Sequence, residues 1–138
     1  MTMQYSIEPC NLFKDSRGVL VEFINEFDLE KSNLPFGQIY YLSFEGKGVV
    51  RGNHYHLHSS EVFCVMYGEV EIVIEDVETK ERVSKVIKAN DEQVFRIYIG
   101  PKVAHAIKSL SDFAMLVSYS STIYNAEDED KYFYEVSA

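Results

Sequence analysis

The stretch that decides the fold spans residues 48–68 and reads GVVRGNHYHLHSSEVFCVMYG. It holds three of the chain's four histidines, His54, His56 and His58, at alternate positions. Residues two apart on a β-strand project to the same face, so His54 and His56 can direct both imidazoles to one point. From Glu61 the stretch becomes a short apolar run that ends at a glycine, which indicates a further strand. We therefore predict a histidine pair carried by strands.

The rest of the chain has the pattern of short strands separated by turns. Residues 15–18 and 45–48 are predicted turns, and 25–37 is a looser segment with room for one helical turn before Pro35. The stretches 69–75 and 82–88 alternate polar and aliphatic residues, which predicts a hairpin with one solvent-exposed face. Both of its strands are expected to lie at the outside of the fold. The predicted strands are 19–24, 38–44, 61–66, 69–75, 82–88, 93–99 and 114–119.

Composition limits the classes of function. The chain has 138 residues, enough for one domain over 1–138, and 46% of them are hydrophobic, so a packed core can form. Strands that recur at intervals of about ten residues indicate an all-β sandwich or barrel. The net charge of −9 argues against nucleic acid or an anionic membrane as a partner.

The chain also lacks the usual signals for export. We find no basic and apolar leader and no membrane-spanning apolar run, so we expect a cytoplasmic protein. Two cysteines do not support a disulfide framework, and Cys64 lies in an apolar run where a free thiol is usually buried. The acidic run 127–130 is expected to face solvent.

The spacing of Gly48, His54, His56, Glu61 and Gly68 reproduces the first motif of the cupin superfamily. A second, degraded motif ends at His105, and Ser109 stands where that motif usually has Asn. The resemblance implies a small jelly-roll β-barrel of the cupin type, with His54, His56, Glu61 and His105 converging in its interior. Three imidazoles and a carboxylate suit a divalent transition metal, which the pattern permits without requiring. His58 has no place in the motif and is interpreted as a rim or surface residue.

Within the cupins, the segments 15–18, 39–42, 51–56 and 98–101 resemble the WxcM-like sugar 3,4-ketoisomerases. That resemblance implies an isomerase that converts dTDP-4-keto-6-deoxyglucose to its 3-keto isomer and needs no cofactor. The product would supply an aminotransferase that makes 3-amino-3,6-dideoxy sugars of surface polysaccharide. The family resembles the nucleotide-sugar epimerases in fold and dimerises through exchanged strands, so we expect a homodimer.

His54 and His56 match the catalytic pair of that family. An imidazole both accepts and returns a proton near neutral pH, and we expect His54 to act as the base at carbon with His56 as its partner, although the sequence does not rank them. His105 is expected to bind the substrate or its nucleotide.

A dTDP-sugar carries a diphosphate, and the sequence offers Arg17 and Arg51 as the groups that clamp it. The alternative for Arg17 is an ion pair with Asp15. Either Tyr40 or Tyr41 can contact thymine or the sugar, and Tyr41 is our choice, with a core or interface role as its alternative.

Two other functions remain open at this point. Residues 52–56, the four-residue gap before Glu61, and 125–133 also resemble the zinc-binding cupin domain of capsular-polysaccharide reductases. In that case His54, His56, Glu61 and His105 are ligands of a Zn²⁺ Lewis acid. A non-catalytic sugar-binding cupin is the third possibility. The segment 15–18 favours the ketoisomerase, and the configuration of its product at C4, galacto or gluco, stays open.

Overall fold

The structure, a computed structural model, describes residues 2–137. In that range the chain folds almost entirely into strands, with one short helix. The elements are β1 (Tyr5–Pro9), β2 (Asn11–Asp15), β3 (Gly18–Glu22), α1 (Glu26–Lys31), β4 (Gln38–Glu45), β5 (Val50–Tyr55), β6 (Glu61–Tyr67), β7 (Glu69–Asp76), β8 (Arg82–Lys88), β9 (Phe95–Ile99), β10 (Val103–Ser109), β11 (Phe113–Ser120) and β12 (Tyr132–Phe133).

Two five-stranded antiparallel sheets enclose the core, in the orders β1-β9-β6-β11-β4 and β12-β5-β10-β7-β8. Alternate residues of both sheets point inward and form one apolar cluster, which includes Phe44, Phe63 and Leu116 from the first sheet and Ile72 and Ile74 from the second. A separate hairpin, β2-β3, packs on the outside of the first sheet. This arrangement is a jelly roll, and the all-β prediction is confirmed.

The 48–68 stretch joins the two sheets. β5 lies between β12 and β10, and β6 lies at the centre of the other sheet. Gly52 has φ +102°, and a Cβ built on it would lie 2.6 Å from the carbonyl oxygen of His105. The motif glycine therefore permits the close approach that pairs His54 with His105 in the β5-β10 register.

Most strand predictions are confirmed to within a few residues. Sequence reasoning missed β1, β2, β10 and β12, and it extended β3 to residue 24, where Asn25 instead caps α1 through a reciprocal pair of hydrogen bonds with Asp28. The prediction that 69–75 lies at the outside is wrong. β7 has β10 and β8 on its two sides and places Ile72 and Ile74 in the core, so β8 is the edge strand of this hairpin.

Both cysteines are free and buried, which confirms the expectation for Cys64. Cys64 points out of the first sheet and packs with Cys10 in a small apolar cluster beneath the hairpin. Among residues 2–137, no helix has the length and apolar character needed to cross a bilayer.

Candidate functional site

A cavity of about 620 Å³ opens at one end of the two sheets. The cavity is lined by side chains of β4, of β5 and the loop that follows it, and of the first residue of β6. Residues 120, 122–125 and 128–131 complete the lining of the cavity. Its volume lies within the range of small-molecule sites, roughly 300–1,000 Å³. The histidine cluster predicted from the sequence lies at its inner end.

Four donor side chains meet there: His54, His56, Glu61 and His105. One ligand atom from each lies within 4.8 Å of all the others. The ring of His54 is 4.9 Å from that of His105 and 5.1 Å from that of His56, centroid to centroid. His105 is 3% exposed and lies beneath the cavity wall, whereas the other three line the cavity.

His56 lies just beyond the end of β5, and its ring is fixed from both sides. Its Nδ1–H donates to the backbone carbonyl of Asp130, and its Nε2 contacts Glu61 Oε1. That contact is not aligned as a hydrogen bond, so Nε2 is a buried nitrogen without a hydrogen-bond partner among the described residues. His56 therefore presents Nε2 to the centre.

The two histidines of the pair have opposite electrostatic environments. Burial, together with the neighbouring His105 and His56, lowers the pKa of His54 to about 4. Burial also opposes charge on His56, but the Glu61 carboxylate outweighs it and raises the pKa of His56. Near neutral pH, His54 is thus a neutral acceptor, and it lies beside a histidine whose protonated form is stabilised by Glu61.

Comparison with known proteins places the chain in a family. Residues 13–132 match the model of the polysaccharide biosynthesis C-terminal domain. The chain belongs to this family. It is also 27% identical to the TDP-4-oxo-6-deoxy-alpha-D-glucose-3,4-oxoisomerase of Aneurinibacillus thermoaerophilus. The alignment spans 117 residues, which are 83% of this chain and 76% of the relative.

Solved structures show the same fold. A 3,4-ketoisomerase from Helicobacter canadensis superposes with a TM-score of 0.77 at 24% identity, over 95% of this chain and 91% of that one. The capsular polysaccharide assembling protein CapF from Staphylococcus aureus gives a TM-score of 0.67 at 24% identity, over 93% of this chain but 35% of that one. The resemblance to the sugar 3,4-ketoisomerases is confirmed, and the resemblance to a capsular protein is also present.

Of the two tyrosines considered from the sequence, Tyr40 is the one that lines the cavity in this family member. Its hydroxyl donates to Glu61 Oε2 at 3.3 Å, and burial together with that carboxylate raises its pKa to about 12. Tyr41, our choice from the sequence, points to the opposite side of β4 and is 72% exposed. Neighbouring residues of a strand face opposite ways, so only the register of β4 could have separated the two.

Neither arginine chosen as a diphosphate clamp reaches the cavity within one chain. Arg17 lies at the tip of the β2-β3 hairpin, where its guanidinium pairs with Asp15, the alternative considered above. Arg51 donates to the Ser43 carbonyl at 2.9 Å and lies over the ring of Phe44. Their roles as clamps stay predictions.

The acidic run 127–130 contributes a group that sequence reasoning missed. Residues 127–129 are exposed as expected, but Asp130 is half-buried and binds the loop after β5. The donors to its carboxylate are the backbone N–H groups of Leu57, His58 and Ser59. They hold its pKa below the ordinary value despite burial. No local pattern identifies these partners, which are more than seventy residues away. His58 itself is exposed at the mouth of the cavity, consistent with a rim residue.

The cluster fits a divalent metal. Its atoms are three imidazole nitrogens and a carboxylate oxygen, a donor set suited to Zn²⁺ and related ions, and they are close enough to converge on one point. The buried Nε2 of His56, without an aligned partner, has the free lone pair that a ligand needs. The residues that would hold the ion are His54, His56, Glu61 and His105.

Proposed function

We propose that the protein is a nucleotide-sugar 3,4-ketoisomerase that converts TDP-linked 4-keto-6-deoxyglucose to its 3-keto isomer. The observation that carries this proposal is the pair His54 and His56, two imidazoles in one cavity whose surroundings favour opposite protonation states. A pair of titratable groups with pKa values pushed apart is the usual arrangement of an acid and a base. The likeness to the TDP-4-oxo-6-deoxy-alpha-D-glucose-3,4-oxoisomerase of Aneurinibacillus thermoaerophilus supports the substrate class.

The chemistry begins at carbon. In the 4-keto sugar, the adjacent carbonyl acidifies the hydrogen on C3, and neutral His54 removes it as a proton. The electron pair of the C3–H bond becomes the C3–C4 double bond of an enediolate, and the C4 carbonyl oxygen takes the negative charge. General acid–base assistance of this kind contributes about 10²–10⁴-fold in rate.

The second half of the reaction moves protons at oxygen and returns one to carbon. His56, charged beside Glu61, gives a proton to the C4 oxygen and then accepts the proton of the C3 hydroxyl. As the C3 carbonyl forms, C4 takes a proton from His54. One proton leaves C3 and one arrives at C4, so no electron acceptor is needed.

Substrate binding adds groups at the mouth of the cavity. Lys131 lines the cavity and is a cation for the diphosphate, and Tyr40 is in position to contact the sugar. Arg17 and Arg51 remain our candidates for a clamp that forms when a second chain or the substrate is present.

The direct test is turnover of TDP-4-keto-6-deoxyglucose by the wild type and by single histidine variants. His54→Asn and His56→Asn should each lower kcat at least about 10²-fold, the contribution expected of an acid or base, while the circular dichroism spectrum stays unchanged. His58→Asn is the matched control and should stay within a few-fold of wild type. Normal turnover in either of the first two variants removes that residue from the mechanism, and an inert wild type favours a non-catalytic sugar-binding protein.

The donor cluster favours a second candidate, a metal-dependent cupin that acts on another nucleotide sugar. This proposal rests on the convergence of the four donor atoms and is supported by the likeness to the capsular protein. A bound Zn²⁺ would supply Lewis-acid polarisation of a carbonyl or hydroxyl oxygen. His54, His56, Glu61 and His105 would hold it, and Tyr40 would orient Glu61 through its hydroxyl.

Elemental analysis of protein purified without chelator separates the two candidates. Substoichiometric zinc, with turnover that survives chelation, supports the metal-free isomerase. About one zinc per chain, together with loss of turnover on chelation, favours the metal-dependent cupin.

We also propose a homodimer, formed on the outer face of the first sheet. Tyr41 and Ile39 are exposed on that side of β4, and Phe13 and Leu20 are exposed on the hairpin that covers part of the same sheet. Large exposed apolar side chains on one face are typical of a surface that is covered in the assembly.

A further inference from the structure

The C-terminal strap, defined here as residues 125–137, runs along the open edge of β5, the strand that carries His54. Within it, β12 pairs with the end of β5 in the register Tyr132↔Tyr55 and Phe133↔His54. The strap also forms one wall of the cavity. Part of the histidine centre is therefore held by a segment distant in sequence.

Asn53 fastens the far end of the strap. Its side-chain oxygen accepts the backbone N–H groups of Val136 and Ser137 at 2.9 and 3.0 Å, and its amide donates to the Ser137 carbonyl at 2.9 Å. Its own carbonyl accepts from Tyr134 N–H at 2.8 Å. These contacts place the strap against the residue that immediately precedes His54.

Asp130 fastens the near end, and it does so with two different groups. Its carboxylate accepts the N–H of Leu57 at 2.7 Å, of His58 at 2.8 Å and of Ser59 at 2.9 Å. Its backbone carbonyl accepts Nδ1–H of His56. The first group fixes where Asp130 lies, and the second transmits that position to the His56 ring.

We propose that Asp130 is a positioning residue of the histidine centre, which fixes the tautomer and ring orientation of His56 so that Nε2 faces the other members of the centre. A neutral imidazole with its Nδ1 proton held by a carbonyl keeps the Nε2 lone pair free. Without that carbonyl the ring can rotate and exchange tautomers. Partners of this kind behind a reacting or ligating histidine typically account for about 10–100-fold in activity or metal affinity.

The role in turnover rests on the proposed function, whereas the role in orienting His56 does not. The test therefore uses two measurements on Asp130→Ala. The first is the ¹⁵N NMR signature of His56 in labelled protein, at a pH above its pKa, where the neutral tautomer is read directly. The second is the separation of kcat from KM with TDP-4-keto-6-deoxyglucose as substrate.

Wild type should show the proton on Nδ1 of His56, and Asp130→Ala should show a mixture of tautomers. Its kcat should fall about 10–100-fold, with a smaller change in KM. Glu127→Ala removes an exposed carboxylate of the same acidic run that does not line the cavity, and it should change neither quantity.

Asp130→Asn keeps one side-chain oxygen, which can still accept the N–H groups of His58 and Ser59. The tautomer ratio and the kcat of this variant should therefore lie between those of wild type and of Asp130→Ala. This variant also decides the question if the alanine variant does not fold. An unchanged tautomer in the variants overturns the proposal, and so does an altered tautomer with normal kcat. If wild type itself is inert on this sugar, the proposed function fails while the NMR measurement still decides the orienting role.

Discussion

At the scale of single residues, the site depends on the different surroundings of two histidines that are two positions apart. His54 is buried beside other imidazoles, and its pKa falls to about 4. His56 gains the Glu61 carboxylate, and its pKa rises. The Glu61 carboxylate favours charge on both rings, but it outweighs burial only at His56, whereas burial and the neighbouring imidazoles dominate at His54.

This division predicts a bell-shaped pH dependence of kcat/KM. Turnover requires neutral His54 and protonated His56. Activity should therefore be lost as the pH falls through about 4, where His54 takes up a proton, and as the pH rises above the raised pKa of His56. Glu61→Gln removes the carboxylate that raises the pKa of His56, so the alkaline limb should move to lower pH. An alkaline limb that stays in place in this variant would contradict the assignment of His56.

The residue scale also shows what sequence can and cannot predict. His54, His56, Glu61 and His105 were identifiable because their spacing matches a motif and alternate strand positions share a face. The choice of Tyr41 over Tyr40 was wrong because the pairing of β4 with β11 decides which residues of β4 point into the cavity. No local sequence pattern reveals that pairing. Asp130 could not be found, since its partners lie on a distant loop.

At the scale of elements, the close pairing of β5 with β10 brings His54 to His105. Strands 69–75 and 82–88 were predictable from their alternation, and strand 61–66 was predictable from its apolar run. β10 was not, because most of it is buried on both sides and lacks a polar-apolar alternation. The helix α1 was expected only as a turn; it has six residues, a little under two turns, and begins at the capping pair of Asn25 and Asp28.

Gly52→Ala tests the β5-β10 approach. A Cβ at this position meets the His105 carbonyl oxygen at 2.6 Å and Ala106 Cα at 3.0 Å, in addition to the strain of a positive φ. We expect a loss of about 2–5 kcal/mol in the free energy of unfolding, the sum of backbone strain and overpacking. Turnover should also fall, because His54 and His105 are pushed apart.

The matched control is Gly48→Ala. Gly48 also has a positive φ, +90°, but a Cβ there meets nothing within 4 Å. Strain alone should cost about 1–2 kcal/mol, with turnover retained. Urea unfolding curves measure both variants. Equal losses for the two glycines would show that close approach at Gly52 is unimportant.

At the scale of the whole molecule, the exposed apolar groups of the first sheet and its hairpin predict a dimer. Light scattering coupled to size exclusion should give twice the mass of one chain for wild type. Tyr41→Lys should shift it toward the monomer, because it places a charge in the covered face. Val86→Lys is the control, since Val86 is 53% exposed on β8 of the other sheet. A monomeric wild type, or equal effects of the two lysines, would contradict this interface.

The jelly roll of this polysaccharide biosynthesis domain holds a cavity with the histidine pair at its inner end. The proposed role of this pair is to move a ketone from C4 to C3 of a TDP-linked sugar. The most direct measurement is incubation of the wild type with TDP-4-keto-6-deoxyglucose in deuterated water, followed by NMR of the product. The expected product is a 3-keto sugar, with deuterium on C4 in every turnover in which His54 exchanges its proton with the solvent before returning it. Unchanged substrate, or deuterium at C3 or C5 of a sugar whose ketone is still at C4, would contradict the proposed role.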